Sequence, residues 1–360
     1  MVRDIYQYNV TSLWRPLSPT YVLISLTYNC NSRCIMCNIW KIHPKNELSY
    51  DEWSRMMQDP IFKNIERLDI TGGEALLLPN AADLISLFIQ SMPKLQELSI
   101  VSNGFATERI IHQIKQIAKA CGRRHIQLAI SISLDGVGET HDSIRRIPHG
   151  FSLASNTLLR LKRMEKSHHI FVSSGSLVLR QNVSKIDEMR RWFNKHHIKY
   201  SFQIVGFHET YVHNRDTQGS VDFTNNEQRN LEQFLIQESK PKSPRDVQAY
   251  YWRDLLSMYR DGRRRTTPCP FLKDHFAIDS FGNVYYCFSS ASIGNWRTMQ
   301  SVSEIYFNHN NLERRKRMWN TVCARCNSGC RVDRAITRDI KSYLWFRLTG
   351  KPWYGFRRRV

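Results

Sequence analysis

The sequence predicts an α/β protein: a parallel sheet flanked by helices, open or curled into a partial (β/α)6 barrel, then a small cysteine-rich α+β domain. Three observations carry this. Between residues 20 and 207, six short apolar, β-rich runs alternate with stretches whose apolar residues recur at helical spacing. The polar signatures of that half fall where the runs end, at the carboxyl edge where parallel α/β folds gather their chemistry. Beyond residue 265 the alternation gives way to short β-type segments and clustered cysteines.

The runs are YVLISLT (21–27), IERLDIT (65–71), LQELSIVSNG (95–104), HIQLAISISLDG (125–136), HIFVSSGSLVLR (169–180) and KYSFQIVGF (199–207). Between them lie DEWSRMMQ, NAADLISLFIQ, TERIIHQIKQIAKA, FSLASNTLLRLKRM and SKIDEMRRWFNKH, several opened by a residue suited to N-capping. Near-continuous apolar strands imply a sheet covered by helices. HETYVHNRDTQGS then reads as a loop, and NNEQRNLEQFLIQE and DVQAYYWRDLLSMYR as helices. The expected segments are an N-terminal extension (1–20), the barrel (21–210), a helical connector (211–265), the cysteine-rich domain (266–333) and a basic aromatic tail (334–360).

The 52 Lys and Arg against 32 Asp and Glu give a formal charge of +20. Such a balance favours an anionic partner, whether nucleic acid, lipid surface or acidic substrate. Nothing resembles a secretory signal or an eighteen-residue apolar run, so the chain is expected in the cytoplasm, where thiols stay reduced. There, nine cysteines in clusters point to metal before disulfides. Cys121 stands apart as a spare thiol.

Cys30, Cys34 and Cys37 follow the first run with three and then two residues between them. Three thiolates on one loop can hold a four-iron cube and leave one iron open for a ligand that reacts. The bland alternative is zinc completed by His43 or His141. CNSRCIMC resembles the signature loop of the radical SAM enzymes, in which the open iron chelates S-adenosylmethionine (SAM). The resemblance implies a partial (β/α)6 barrel, reductive cleavage of SAM to a 5′-deoxyadenosyl radical, and hydrogen abstraction from a substrate. It extends to Gly72, Gly73 and Glu74, matching a GGE motif expected to let backbone approach the methionine moiety. It further assigns SAM contacts to Ser102 and Asn103, to Ser131, Ser133 and Asp135, which alternation places on one face, and to Arg145 for the carboxylate. Met36 departs from the aromatic residue usual at its position against the adenine.

Cys269, Cys287, Cys323, Cys326 and Cys330 resemble the SPASM/Twitch extension of these enzymes. The full SPASM pattern has seven cysteines; five suit the shorter Twitch form, with one auxiliary four-iron cluster on four of them and Cys330 as the candidate spare. Gly282-Asn283 predicts a hairpin turn between FAIDS and VYYCF. A closed auxiliary cluster suits electron acceptance in a dehydrogenation. The substrate expected is a small or lipid-linked, carbohydrate-like metabolite, because few residues precede the first strand. A ribosomally made peptide is the alternative, and a zinc-bearing nucleic-acid-binding protein the rival of another class. His208, Glu209 and Tyr211 are candidates for base or hydrogen donor. The resemblance also implies an external electron donor of flavodoxin or ferredoxin type. Residues 340–360 interleave aromatics (Trp345, Phe346, Trp353, Tyr354, Phe356) with Lys341, Arg347, Lys351 and Arg357–Arg359, and are expected to touch the inner face of a membrane.

Overall fold

The computed structural model describes residues 5–243 and 246–349. The chain forms two compact units, one of Ser18–Asp222 with His275–Asn311, the other of Met1–Leu17, Phe223–Asp274 and Leu312–Val360. These cuts differ from the expected segments, because residues 275–311 cluster with the barrel and the N-terminal residues with the connector.

In the barrel unit six parallel strands follow one another across the sheet: β1 (Tyr21–Ser25), β2 (Arg67–Thr71), β3 (Glu97–Ser102), β4 (Gln127–Ser133), β5 (Ile170–Val178) and β6 (Lys199–Ile204). The strands alternate more strictly than their apolar sequences suggest. Leu68, Ile70, Leu98, Ile100, Leu128, Ile130, Ile132 and Val172 are fully buried on the helix side. Thr71, Ser99, Ser131, Ser133 and Ser173 are half-buried on the other, beside exposed Val101 and Phe171, so that face carries a run of hydroxyls.

The helices supply the matching apolar layer. They are α1 (Tyr50–Met56), α2 (Ala81–Ser91), α3 (Thr107–Gly122), α4 (Glu139–Arg145), α5 (Gly150–His168) and α6 (Ile186–Lys195). Ile85, Phe88, Ile110, Ile114, Ile117, Leu158 and Leu161 are buried at i, i+3, i+4 spacing, each side chain contributing roughly 1.5–3 kcal/mol. α1 starts at a capping box in which Ser49 and Glu52 satisfy each other's backbone N–H groups.

The expected hairpin is present and is part of this sheet. β7 (His275–Ile278) pairs parallel with β1, and β8 (Asn283–Tyr285) and β9 (Gly294–Asn295) continue antiparallel. Gly282 makes the turn at φ +84°, and the buried Asp279 carboxylate accepts the Phe281 and Asn283 N–H groups. Pairing with β7 covers the β1 edge that would otherwise present unpaired backbone groups.

Two carboxylates of the barrel fasten the chain beyond β9. Arg297 grips Glu52, Nε to Oε1 at 2.7 Å and Nη2 to Oε2 at 3.0 Å, and buried Asp59 accepts from Ser301 and Ser303. The Arg297 hydrogen bond holds the Glu52 carboxyl down at about 2. Its stabilisation is therefore complete above the ordinary carboxylate range and is lost as pH falls through about 2. Arg297→Ala is expected to cost about 1 kcal/mol at neutral pH, the pair being partly solvated. That difference should shrink in urea melts run between pH 4.5 and 2.

In the other unit, α7 (Asn225–Glu238) and α8 (Gln248–Asp261) pack as a pair through Phe234 and Trp252. α9 (Val332–Arg338) and α10 (Ile340–Thr349) close the described chain. The tail residues Lys351, Trp353, Tyr354, Phe356 and Arg357–Arg359 lie outside the described residues. Among the described residues no helix is long and apolar enough to cross a membrane.

Candidate functional site

The loop bearing Cys30, Cys34 and Cys37 leaves β1 and is held against the end of β2 by main-chain bonds. Leu26 N–H donates to Thr71 O at 2.9 Å, Gly73 N–H to Thr27 O at 2.6 Å and Glu74 N–H to Asn29 O at 2.8 Å. This explains the paired glycines. A Cβ on Gly72 would stand 2.5 Å from Thr27 O, and one on Gly73 2.2 Å from Asn29 O. The sequence suggests a close approach of this backbone to a bound cofactor; in the fold it is the cysteine loop's own backbone that comes near.

Glu74 is buried and works inside the fold. Its Oε2 accepts Asn103 N–H at 2.6 Å and Oε1 accepts Leu76 N–H, which joins the ends of β2 and β3. Burial pushes its carboxyl up to about 7, against the hydrogen bonds from Asn103, Ser102 and Leu76. Asn103, fixed by an Asx turn to Phe105, aims its amide at Asn31 (2.8 Å) and at Cys30 Sγ (4.0 Å). Ser102 Oγ accepts Gly104 N–H.

Asp135 and Arg145, each expected from sequence to contact the cofactor, bind each other. Nε and Nη2 of Arg145 both reach Asp135 Oδ2 at 2.6 Å, while Oδ1 accepts Leu177 N–H. Arg145 Nη1 lies 3.7 Å from Cys34 Sγ, and Ser32 Oγ lies 3.0 Å from the same sulfur while donating to Arg145 O. Burial opposes the Arg145 charge, yet Asp135 and Cys34 outweigh it and hold the guanidinium protonated above its ordinary range. His141 is fully buried, and its Nε2 has no hydrogen-bond partner among the described residues. Its Nδ1 accepts Asp135 N–H, and burial, then Arg145, drives its pKa down to about 3. His43 is exposed. Ser131 and Ser133 sit side by side on the hydroxyl-bearing face of β4, and Met36 is buried.

Two asparagines carry no signal in the sequence. Asn182, fully buried, donates to Asp135 O and Leu177 O and so ties β4 to β5. Asn214 donates to Met36 O at 2.8 Å and to Gly206 O, and Asn38 N–H donates to Val212 O. The loop after β6 thereby clamps the far end of the cysteine loop. It carries Tyr211 at φ +58°, its hydroxyl 3.2 Å from Thr71 Oγ1 and its ring stacked on Phe288 at 4.2 Å. His208 is half-buried and Glu209 is exposed, 3.5 Å from Arg215. Isolated polar residues in a loop show no periodicity, which is why their partners are illegible from sequence.

In the second unit, α8 organises the other cysteines. Asp254 takes the backbone N–H and hydroxyl of both Thr266 and Thr267, which lead to Cys269. Buried Arg265 donates to the carbonyls of Thr267, Cys326 and Ser328, and Tyr251 to that of Asn327. Arg265 thus places its charge beside Cys269 and Cys326. Burial raises the Cys269 thiol, and raises that of Cys323 to about 12. Cys330 is exposed. Cys287, half-buried after β8, belongs to the barrel unit.

The donor set of the first loop fits an iron–sulfur cluster. Cys30, Cys34 and Cys37 lie close enough to feel one another's charge, and burial lifts Cys30 to about 11 and Cys37 to about 12. Thiols so placed become thiolates when a cation joins them. Among the described residues no three His, Cys, Asp or Glu side chains close around a single ion.

Comparison with known proteins agrees. The radical SAM superfamily model matches residues 24–193 and an iron–sulfur cluster-binding domain model, SPASM, matches residues 269–327. The antilisterial bacteriocin subtilosin biosynthesis protein AlbA of Bacillus subtilis is 23% identical over 276 residues, 75% of this chain and 55% of AlbA. The sporulation killing factor maturation protein SkfB of the same organism is 26% identical over 146 residues, 40% of this chain and 33% of SkfB. The chain thus spans about half the length of the first relative and a third of the second. Among solved structures, native anSMEcpe with bound AdoMet and Kp18Cys peptide shares the fold at a TM-score of 0.57 and 16% identity, over 91% of this chain and 99% of that one. The nucleic-acid-binding rival loses its ground. Domains of these two kinds bind SAM with a four-iron cluster and auxiliary iron–sulfur clusters respectively, and the chain carries a radical SAM domain over residues 24–193 and a C-terminal SPASM domain over residues 269–327.

Proposed function

We propose that this chain cleaves SAM reductively and uses the resulting radical to modify a ribosomally made peptide. The observation that carries the peptide is the likeness to AlbA, which runs over 276 residues and so beyond the length of the radical SAM match. SkfB, named for maturation of a killing factor, and the peptide-bound neighbour point the same way. The peptide therefore displaces the small or lipid-linked metabolite expected from the short N-terminal segment.

A cluster bound here would supply the electron that breaks the SAM sulfonium bond. Cys30, Cys34 and Cys37 are the residues to hold it. Asn103, Ser32 and Arg145 stand around the sulfurs, where donors to thiolate ligands tune a cluster. The clamp through Asn214 fixes Met36, the residue expected against adenine. Ser131, Ser133 and Thr71 give one face of the sheet hydroxyls with which to orient cofactor and substrate. Cys269, Cys323 and Cys326, with Cys287 or Cys330, are assigned to an auxiliary cluster that accepts the substrate electron. A flavodoxin- or ferredoxin-type protein supplies the reducing electron.

The test is anaerobic turnover of the iron-reconstituted chain with SAM, dithionite and synthetic peptides encoded beside its gene. Peptide-dependent 5′-deoxyadenosine release with a matching change in peptide mass supports the reading. Cofactor cleavage that no such peptide stimulates, with every peptide mass unchanged, contradicts it.

A further inference from the structure

Two helical segments of the second unit expose apolar faces that no part of the described unit covers. In residues 5–14, Tyr6, Val10, Leu13 and Trp14 fall on one face, with Leu13 72% and Trp14 85% exposed. In α10, Ile340, Leu344 and Leu348 repeat at i, i+4, i+8 beside Trp345, with Leu344 53% and Leu348 83% exposed. The opposite face of α10 is used inside the unit. Phe346 is buried, edge-on to Tyr250 and under the Arg253 guanidinium. The two segments meet at one point, where Asn9 donates to Arg338 O and accepts Ile340 N–H.

Charge says what covers these faces. Residues 5–15 and 340–349 contain no Asp or Glu, while Arg15, Lys341 and Arg347 are exposed on them. The sequence beyond continues with Lys351 and Arg357–Arg359, again without an acid. A protein partner for such a face needs only apolar area. An acid-free face of leucines flanked by tryptophans and cations matches the boundary of an anionic bilayer, with aromatics at headgroup depth and cations on the phosphates.

We propose that the N-terminal helical segment and α10 together form a surface that docks peripherally on anionic lipid, with Leu13, Trp14, Leu344 and Leu348 entering the headgroup boundary. This goes beyond the expectation for the tail by adding the N-terminal segment, and it holds whatever the enzyme modifies.

Vesicle flotation of the full reconstituted chain tests it. The wild type is expected to float with phosphatidylglycerol-containing vesicles, to stay down with phosphatidylcholine alone, and to be released by salt. Leu13→Glu/Trp14→Glu and Leu344→Glu/Leu348→Glu should each lower the bound-to-free ratio about tenfold. Iron content and circular dichroism show whether each variant is folded. Should one fail that check, Lys341→Glu, which reverses one charge and leaves the apolar residues in place, decides in its place by the same fall in binding. Wild type that stays down with both vesicles, or variants that float like wild type, overturns the proposal. So does a wild-type dimer, seen by light scattering without lipid, that the same substitutions convert to monomer, since the face would then be a contact between copies.

Discussion

Gly73→Ala is expected to lose the cysteine loop. The added methyl would lie 2.2 Å from Asn29 O, 2.6 Å from Asn29 C and 2.9 Å from Tyr28 C, all backbone, so no side chain can swing aside. Either the end of β2 or the cysteine loop must move, and the Gly73-to-Thr27 and Glu74-to-Asn29 bonds that join them go with it. Overpacking of this kind costs about 3 kcal/mol, and the two strained hydrogen bonds add about 1 kcal/mol each. Urea melts of the metal-free chain should show that loss, and reconstitution should leave the first cluster largely unfilled. Gly122→Ala, where a Cβ meets nothing within 4 Å, is the control and should melt like the wild type. A Gly73→Ala chain with wild-type midpoint and iron content would mean that the two strand ends are not joined as described.

Arg145→Met carries the second large effect. Asp135 is fully buried, and its Oδ2 is held by two nitrogens of Arg145 at 2.6 Å. Removing the cation leaves a carboxylate in an apolar setting with only the Leu177 N–H, a loss of about 3–5 kcal/mol. Arg145→Lys keeps the charge but not the fork and should fall between. Asp135→Asn combined with Arg145→Met removes the stranded charge and should recover more than half of the loss, the non-additivity that a double-mutant cycle reads as direct coupling. Simple addition of the two single effects would show that the pair is not coupled. The same cation stands 3.7 Å from Cys34 Sγ, so Arg145→Met is also expected to lower the midpoint potential of the first cluster.

These two sites show what the sequence discloses and what it hides. The six strands and their helices are legible because Leu68/Ile70, Leu98/Ile100 and Ile130/Ile132 declare a buried face at local spacing, and the intervening helices do the same at 3.6 residues. The cysteines, the GGE segment, Asn103 and the SLDG segment are legible as strand-end residues. Their partners are not. Arg145 reads as a cofactor contact, and its pairing with Asp135 and its place beside Cys34 are not legible with it. A pairing across ten residues of loop and helix leaves no periodic trace. The same holds for Asn182, Asn214, Asp254 and Arg265, each of which fixes backbone that is distant in sequence. Strands β7 and β8 read as a hairpin from Gly282-Asn283. That they extend the barrel sheet at β1 is invisible, because a four-residue strand does not name its neighbour. Phe346, expected among the interfacial aromatics, faces inward against Tyr250.

That Cys30, Cys34 and Cys37 hold a cluster with one iron left open for SAM is the claim on which the rest depends. The most direct test is electron paramagnetic resonance of the anaerobically reconstituted, dithionite-reduced chain before and after SAM is added, with iron content measured alongside. Two four-iron clusters give about eight irons per chain. SAM should shift one of the two signals, and Cys34→Ala should hold about four irons, lose that shift and release no 5′-deoxyadenosine. A Cys34→Ala chain that keeps its full iron, its SAM-dependent shift and its cleavage would contradict the claim.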